Sequence, residues 1–201
     1  NKSNSMISIA ITGGIGSGKT YVSTLLQQRG IPIYNADIEA KRLMASDSDI
    51  RKDLIALLGD EVYQGGELNK PFLAGYLFSS PEHVQQINAI VHPRVKADFY
   101  RWLKARENFA FVGIESAILF EAGFQDCVDY VVMVYAPEAL RLERAMKRDA
   151  ASEQQIRDRM AAQMDEEQKR NKSHFVILND GSSSLDTQLA ELLEILKTSK
   201  K

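Results

Sequence analysis

Residues 13–20 read Gly13-Gly14-Ile15-Gly16-Ser17-Gly18-Lys19-Thr20 and meet the pattern G-x-x-x-x-G-K-[ST] at every defined position. The glycines let successive backbone N–H groups converge on one concavity with no Cβ in the way. A helix starting at the end of the stretch adds its own free N–H groups and positive dipole end. Such a nest suits a polyphosphate. Lys19 can reach β- and γ-phosphate oxygens as a flexible point charge, and the Thr20 hydroxyl stands one residue on to help hold Mg²⁺. The same motif could be only a tight strand-to-helix turn. Its flanks favour the phosphate reading, because the apolar run Ile7–Ile11 supplies the strand and the amphipathic run Tyr21–Arg29 the helix.

A nucleotide site leaves open what accepts the phosphate. The short apolar run Ile31-Pro32-Ile33-Tyr34 reads as a second strand that delivers Asn35-Ala36-Asp37 at its C-terminal end, where open α/β sheets hold ligands. Asp37 is the candidate base for an acceptor hydroxyl, and could equally be the N-cap of the next helix. Arg141, Arg144 and Arg148 fall three and four apart, so a helix stacks them along one side, either to neutralise a transferring phosphoryl or as a solvated face paired with Glu138 and Glu143. His92, before Pro93, is a substrate-contact candidate or a packing residue. Glu115 ends a strand where a magnesium-associated carboxylate would stand. Phe120-Glu121 could line an acceptor pocket, unless Leu119 and Phe120 are simply core.

The elements that must position these groups follow from patterning. A chain of 201 residues, 44% hydrophobic and 26% charged, has room for one globular core with an insertion, and a net charge of −2 gives no global pull toward nucleic acid or anionic membrane. The lone Cys127 excludes an intrachain disulfide and fits a reducing compartment, so a cytoplasmic location is expected. Neither a transmembrane run nor a signal sequence is read, and the polar lead Asn1–Ser5 is left out of the fold. Phe109–Glu115, Asp129–Tyr135 and Phe175–Leu178 add three strands to the first two, with helical crossovers that imply a mostly parallel sheet. From Ile38 to Arg106 helix follows helix, with no convincing strand, Asn69 and Ser80 as caps, and an interruption at His92-Pro93. The expected organisation is an α/β, P-loop NTPase-type three-layer fold with a mostly parallel five-stranded sheet. Its nucleotide-binding core would comprise residues 6–37, 107–144 and 172–201, with a helical substrate-binding insertion at 38–106 and a helical lid at 145–171.

Taken together, Thr12–Thr20, Asn35-Ala36-Asp37, Ile90-Val91-His92-Pro93, Leu119-Phe120-Glu121, Arg144-Ala145-Met146-Lys147-Arg148-Asp149, Ala162-Gln163 and Asn179-Asp180-Gly181 resemble the dephospho-coenzyme A kinase family, in order and over nearly the whole chain. The resemblance implies transfer of the ATP γ-phosphoryl to the ribose 3′-hydroxyl of dephospho-coenzyme A, assisted by Mg²⁺. It implies Asp37 as base and Gly13, Gly14, Ile15, Gly16, Ser17, Gly18, Lys19, Thr20 and Tyr21 around the phosphates, with Thr20 toward magnesium. Arg144 and Arg148 would be lid residues, His92, Arg94, Phe120 and Glu121 would stand on the acceptor side, and Asn179 near the adenine. No nucleic acid, membrane or obligate protein partner is expected. Four positions depart from the family pattern: Asn35 replaces a carboxylate, Glu115-Ser116-Ala117 lacks a proline, Tyr21 replaces a small hydroxyl residue, and Ser173-His174 replaces Ala-Asp. Another P-loop kinase of small metabolites shares the loop and lid. A nucleotide-operated switch would need an Asn-Lys-x-Asp signature, which neither Asn69-Lys70-Pro71-Phe72 nor Asn171-Lys172-Ser173-His174 completes. If Asp37 is the base, Asp37→Asn leaves ATP affinity nearly intact and lowers turnover by a factor on the order of 10² to 10⁴; unchanged turnover in a steady-state assay removes it from that role.

Overall fold

The computed structural model describes residues 6–199; Asn1–Ser5, set aside in the sequence reading, lies outside the described residues. The chain runs β1 (Ile7–Thr12), α1 (Lys19–Gln28), β2 (Ile33–Asn35), α2 (Ala36–Ser46), α3 (Ser48–Leu58), β3 (Tyr63–Gln64), β4 (Glu67–Leu68), α4 (Lys70–Ser79) and α5 (Pro81–Lys104). It continues with β5 (Phe111–Glu115), β6 (Tyr130–Tyr135), α6 (Glu138–Asp149), α7 (Glu153–Ala161), α8 (Glu166–Lys172), β7 (Phe175–Leu178) and α9 (Leu185–Ser199). Two compact units result. One takes the chain up to Asn35 and again from Leu103 onward, and the other is Ala36–Trp102.

The first unit is built on a five-stranded sheet of order β2-β5-β1-β6-β7, every pairing parallel. All six residues of β1 and all five of β5 are buried, as central strands covered on both faces require. This is why their apolar runs show no alternation. Val22 and Leu26 of α1 and Leu189, Leu192, Leu193 and Leu196 of α9 join Ile7, Ile9, Ile11, Val132, Val134 and Ile177 of the strands in one apolar cluster. Because β1 lies between β5 and β6, its C-terminal end opens into the glycine loop at the middle of the sheet. The register there is pinned by reciprocal bonds. Ser8 N–H donates to Asp129 Oδ2 at 2.9 Å, and Asp129 N–H donates back to Ser8 Oγ at 3.0 Å, one step before the Ile9–Tyr130 pairing. On the outer side, His174 Nδ1 accepts the Val131 N–H at 2.9 Å, an acceptor role that suits a neutral imidazole nitrogen as well as a carboxylate. The segment 145–171, from the last turns of α6 through most of α8, lies within this unit.

The second unit is helical, with a small exception. Ile50 and Leu54 on α3, and Ile87, Val91, Val95 and Phe99 on α5, are buried at four-residue spacing. Asn69 caps α4 by accepting the Phe72 N–H, and Ser80 Oγ accepts from Glu82 N at the start of α5, the cap roles their positions before Pro71 and Pro81 suggest. The exception is the two-residue hairpin β3–β4, where sequence patterning shows no strand. Strands of two residues carry no periodicity to detect, and Gly65 and Gly66, at φ 59° and 84°, supply the two left-handed positions of its turn. The expected interruption at His92-Pro93 also differs, since α5 runs unbroken through Pro93. A proline N has no hydrogen to give the Ala89 carbonyl, but Val91, Val95 and Phe99, buried on either side of the step, hold the helix together through it.

No helix among the described residues is long and apolar enough to cross a membrane. Asp129→Ala leaves the buried Ser8 N–H without its carboxylate partner and is expected to cost about 1–3 kcal/mol. In a thermal melt this appears as a fall of several degrees, and an unshifted melting temperature would show that the Ser8–Asp129 exchange does not hold the β1–β6 register.

Candidate active site

Backbone conformation places the loop. Gly18 is the N-cap of α1 at φ 90°, ψ 22°, a left-handed conformation, and no side chain caps the helix, so its N-terminal N–H groups keep their anion-binding capacity. Glycine is required there on two counts, because a Cβ at Gly18 would also lie 2.2 Å from Asn179 Nδ2. At Gly16, φ 77°, a Cβ would meet the Arg141 carbonyl oxygen at 2.1 Å. The loop is thus closely enclosed by the beginning of α6 and by the residue following β7.

Those same two elements brace it. Asn179 Nδ2 donates to the Ser17 carbonyl at 2.9 Å, and Arg144 Nη2 donates to the Asn179 carbonyl at 2.8 Å, with Nη1 3.5 Å from the Gly16 carbonyl. The turn that follows is hydrogen-bonded through Asp180. Asp180 Oδ1 accepts the backbone N–H groups of Ser182 and Ser183, which hold its carboxyl down to about 2. Arg144 and Arg148 therefore part company. Arg144 is half-buried against the loop, whereas Arg148 is exposed at the end of α6 and forks onto Asp149 at 2.8 and 3.1 Å. That hydrogen-bonded pairing raises the Arg148 pKa and, with Arg159 adding to it, lowers that of Asp149. Tyr21, in the first turn of α1, is 59% exposed.

Thr20 Oγ1 donates its proton to Glu115 Oε2 at 2.8 Å, and Asn35 Nδ2 lies 3.5 Å from the same oxygen. Glu115 is only 4% exposed, at the end of β5. A hydroxyl that donates to a carboxylate keeps its lone pairs available, and the Thr20 hydroxyl and Glu115 carboxylate oxygens are hard donors of the kind Mg²⁺ takes, whereas Asn35 turns its amide NH2 to the carboxylate. Among the described residues no group of three or more His, Cys, Asp or Glu could hold a metal. Two protein donors, the Thr20 hydroxyl and the Glu115 carboxylate, fit an ion that also draws ligands from substrate phosphates.

Beyond β5, residues 116–121 lie against the segment that includes α8. Leu119 and Phe120 are buried, with Lys172 Nζ 6.0 Å from the Phe120 ring centroid. Glu121 is exposed, and its Oε2 accepts the Met164 N–H at 3.3 Å. A cavity of about 290 Å³ opens beside the loop, lined by Gly14, Ile15, Arg141, Gln163, Met164 and Glu166 among others. In the helical unit, Asp37 is exposed in the first turn of α2, two residues past the end of β2. His92 lies on α5, its pKa lowered by burial and then by the charge of Lys96, and Arg94 pairs with Asp49 at 3.0 Å. The structure thus gathers Gly16, Ser17, Arg144 and Asn179 in one brace and brings Thr20 and Asn35 onto the Glu115 carboxylate. Arg141, Glu166 and Lys169 escape the sequence reading as a group. They lie in polar helical text, and the i, i+3 spacing of Glu166 and Lys169 signals a surface pair while saying nothing of their burial.

Residues 7–184 match the family model described as dephospho-CoA kinase. Curated relatives of that name include one from Bacteroides fragilis strain YCH46, 52% identical over 190 residues that cover 94% of this chain and 93% of the relative. Another, from Porphyromonas gingivalis, is 42% identical, covering 97% and 96% respectively. The crystal structure of TT1252 from Thermus thermophilus superposes with a TM-score of 0.80 at 34% identity, covering 94% of this chain and 97% of that one. From the geometry of the brace, Asn179→Ala is expected to weaken nucleotide binding roughly fivefold, the equivalent of about 1 kcal/mol for one loop-holding hydrogen bond. Titration calorimetry with Mg·ATP measures this directly, and unaltered affinity would mean that the loop holds its shape without Asn179.

Proposed function

The chain belongs to the dephospho-CoA kinase family, and on that premise we propose that it transfers the γ-phosphoryl group of ATP to the ribose 3′-hydroxyl of dephospho-coenzyme A. The products are coenzyme A and ADP, and the reaction is the last step of coenzyme A biosynthesis. The observation that carries the reading is the braced glycine loop with Thr20 hydrogen-bonded to the buried Glu115, a phosphate nest with a hard-oxygen cluster at its edge.

The phosphoryl transfer asks the protein mainly for positioning and charge neutralisation. The N–H groups from Gly14 to Thr20 and the open N-terminus of α1 hold the polyphosphate, and Lys19 neutralises its β- and γ-oxygens. Thr20 and Glu115 would hold Mg²⁺, directly or through water, and the ion would supply charge neutralisation at the phosphates. Arg144 keeps the loop in shape while its charge lies beside the nucleotide, and Arg148 turns from Asp149 to the phosphates as the segment 145–171 closes. Asp37, at the N-terminal turn of α2, accepts the proton of the attacking hydroxyl. By their match to the family pattern, His92, Arg94, Phe120 and Glu121 are assigned to the acceptor and Asn179 to the adenine side. Closure excludes water, which limits hydrolysis of the γ-phosphate. We place the reaction in the cytoplasm, a reducing compartment that suits a chain with one cysteine, and propose that it needs no second protein.

A coupled assay of ADP release with Mg·ATP and a panel of dephospho-coenzyme A, adenosine, nucleoside monophosphates or water tests the proposal. Strong stimulation by dephospho-coenzyme A alone, with coenzyme A recovered, is expected. Stimulation by a nucleoside or nucleotide instead would keep the phosphotransferase and discard this acceptor.

A further inference from the structure

Lys169 has no exposed surface, although it lies in a helix whose sequence, Glu166-Glu167-Gln168-Lys169-Arg170-Asn171-Lys172, is polar throughout. Its ammonium donates to the Ala117 carbonyl at 3.1 Å, lies 3.5 Å from Gln163 Oε1, and is 3.8 Å from Glu166 Oε1. Glu166 Oε2 in turn is 4.0 Å from Nε of Arg141, which is 6% exposed and donates to the Ala136 carbonyl. The carboxylate and the guanidinium lie directly on the phosphate loop. A Cβ added to Gly14 would be 2.4 Å from Glu166 Oε1 and 2.8 Å from Arg141 Nη1.

Two features separate this cluster from ordinary packing. It sets two buried cations against one carboxylate, an arrangement whose desolvation penalty an apolar side chain in place of the lysine would avoid. It is also the link between two parts of the site. Through Ala117, Lys169 holds the segment 116–121 that carries Phe120 and Glu121, and through Glu166 and Arg141 it reaches Gly14. Two further contacts join the same parts, Met164 N–H to Glu121 and Lys172 over Phe120, but each uses an exposed side chain.

We propose that Lys169 is a positioning residue for phosphoryl transfer, fixing the 116–121 segment relative to the phosphate loop so that the acceptor meets the γ-phosphate in line. The proposal rests on the kinase reading above. Misplacement by about 1 Å in such a site can lower the rate on the order of 10². The isosteric Lys169→Met leaves Glu166 paired with Arg141, with the cluster's charge balanced. The expected result is a melting temperature within about 5 °C of wild type and Mg·ATP affinity within about threefold of it. Turnover falls by about 10²-fold, and the ratio of ADP released to coenzyme A formed rises above parity, because a misaligned acceptor lets water take the phosphoryl group. Lys169→Arg, which keeps the charge, restores part of the coupling.

A residue that only stabilises the fold gives the opposite pattern, a depressed melting temperature with normal turnover and coupling per folded molecule, and that result overturns the proposal. If Lys169→Met does not fold, Glu166→Gln provides the test. It should lower turnover by about tenfold with the same loss of coupling, and normal coupling in that variant also overturns the proposal. The wild-type control separates the two levels of inference. Wild-type protein that makes no coenzyme A removes the functional reading and this proposal together, whereas an active wild type with an equally active, well-coupled Lys169→Met removes this proposal alone.

Discussion

The constraint on which this site depends is the direction of a few backbone amides. A phosphate nest works only if consecutive N–H groups point inward, which leaves neighbouring carbonyls pointing outward and in need of partners. Here the outward carbonyl of Ser17 is met by Asn179, and Arg144 reaches toward that of Gly16 while bonding Asn179 itself. The loop's shape is thus a property of its surroundings as much as of its glycines. Elements from three distant parts of the chain, the end of β1, the start of α6 and the end of β7, must meet for it to exist. Parallel pairing delivers them to the same edge of the sheet.

Electrostatics follows from that placement. Carboxylates near a phosphate site are a hazard unless they are occupied. Glu115 takes the Thr20 hydroxyl proton and borders a cluster of hard oxygens suited to a divalent cation. Glu166 is flanked by Arg141 and Lys169, and Asp149 by Arg148 and Arg159. The exposed pairs contribute little to stability. The buried cluster has a large desolvation penalty to offset, which directs attention to what it positions rather than to what it stabilises.

The amino-acid sequence by itself determined the phosphate loop, the five strands, the helical character of the second unit and the family. Each of these rests on local regularity: a fixed motif, apolar runs long enough for buried strands, four-residue spacing, and caps at Asn69 and Ser80. It also singled out Lys19, Thr20 and Arg144 by motif and spacing, and Asn179 through the family resemblance. Where local regularity was short, the reading missed. The β3–β4 hairpin is two residues deep on each side, and α5 passes through Pro93 because packing on both sides of the proline outweighs one missing hydrogen bond. Only the tertiary structure decided that Arg144 braces the loop while Arg148 forks onto Asp149, that Thr20, Asn35 and Glu115 converge on one oxygen, and that Lys169 is buried. Arg144, Thr20 and Lys169 take partners 35, 95 and 52 positions away, and a lysine in a polar heptapeptide looks the same in the sequence whether its ammonium faces water or the Ala117 carbonyl.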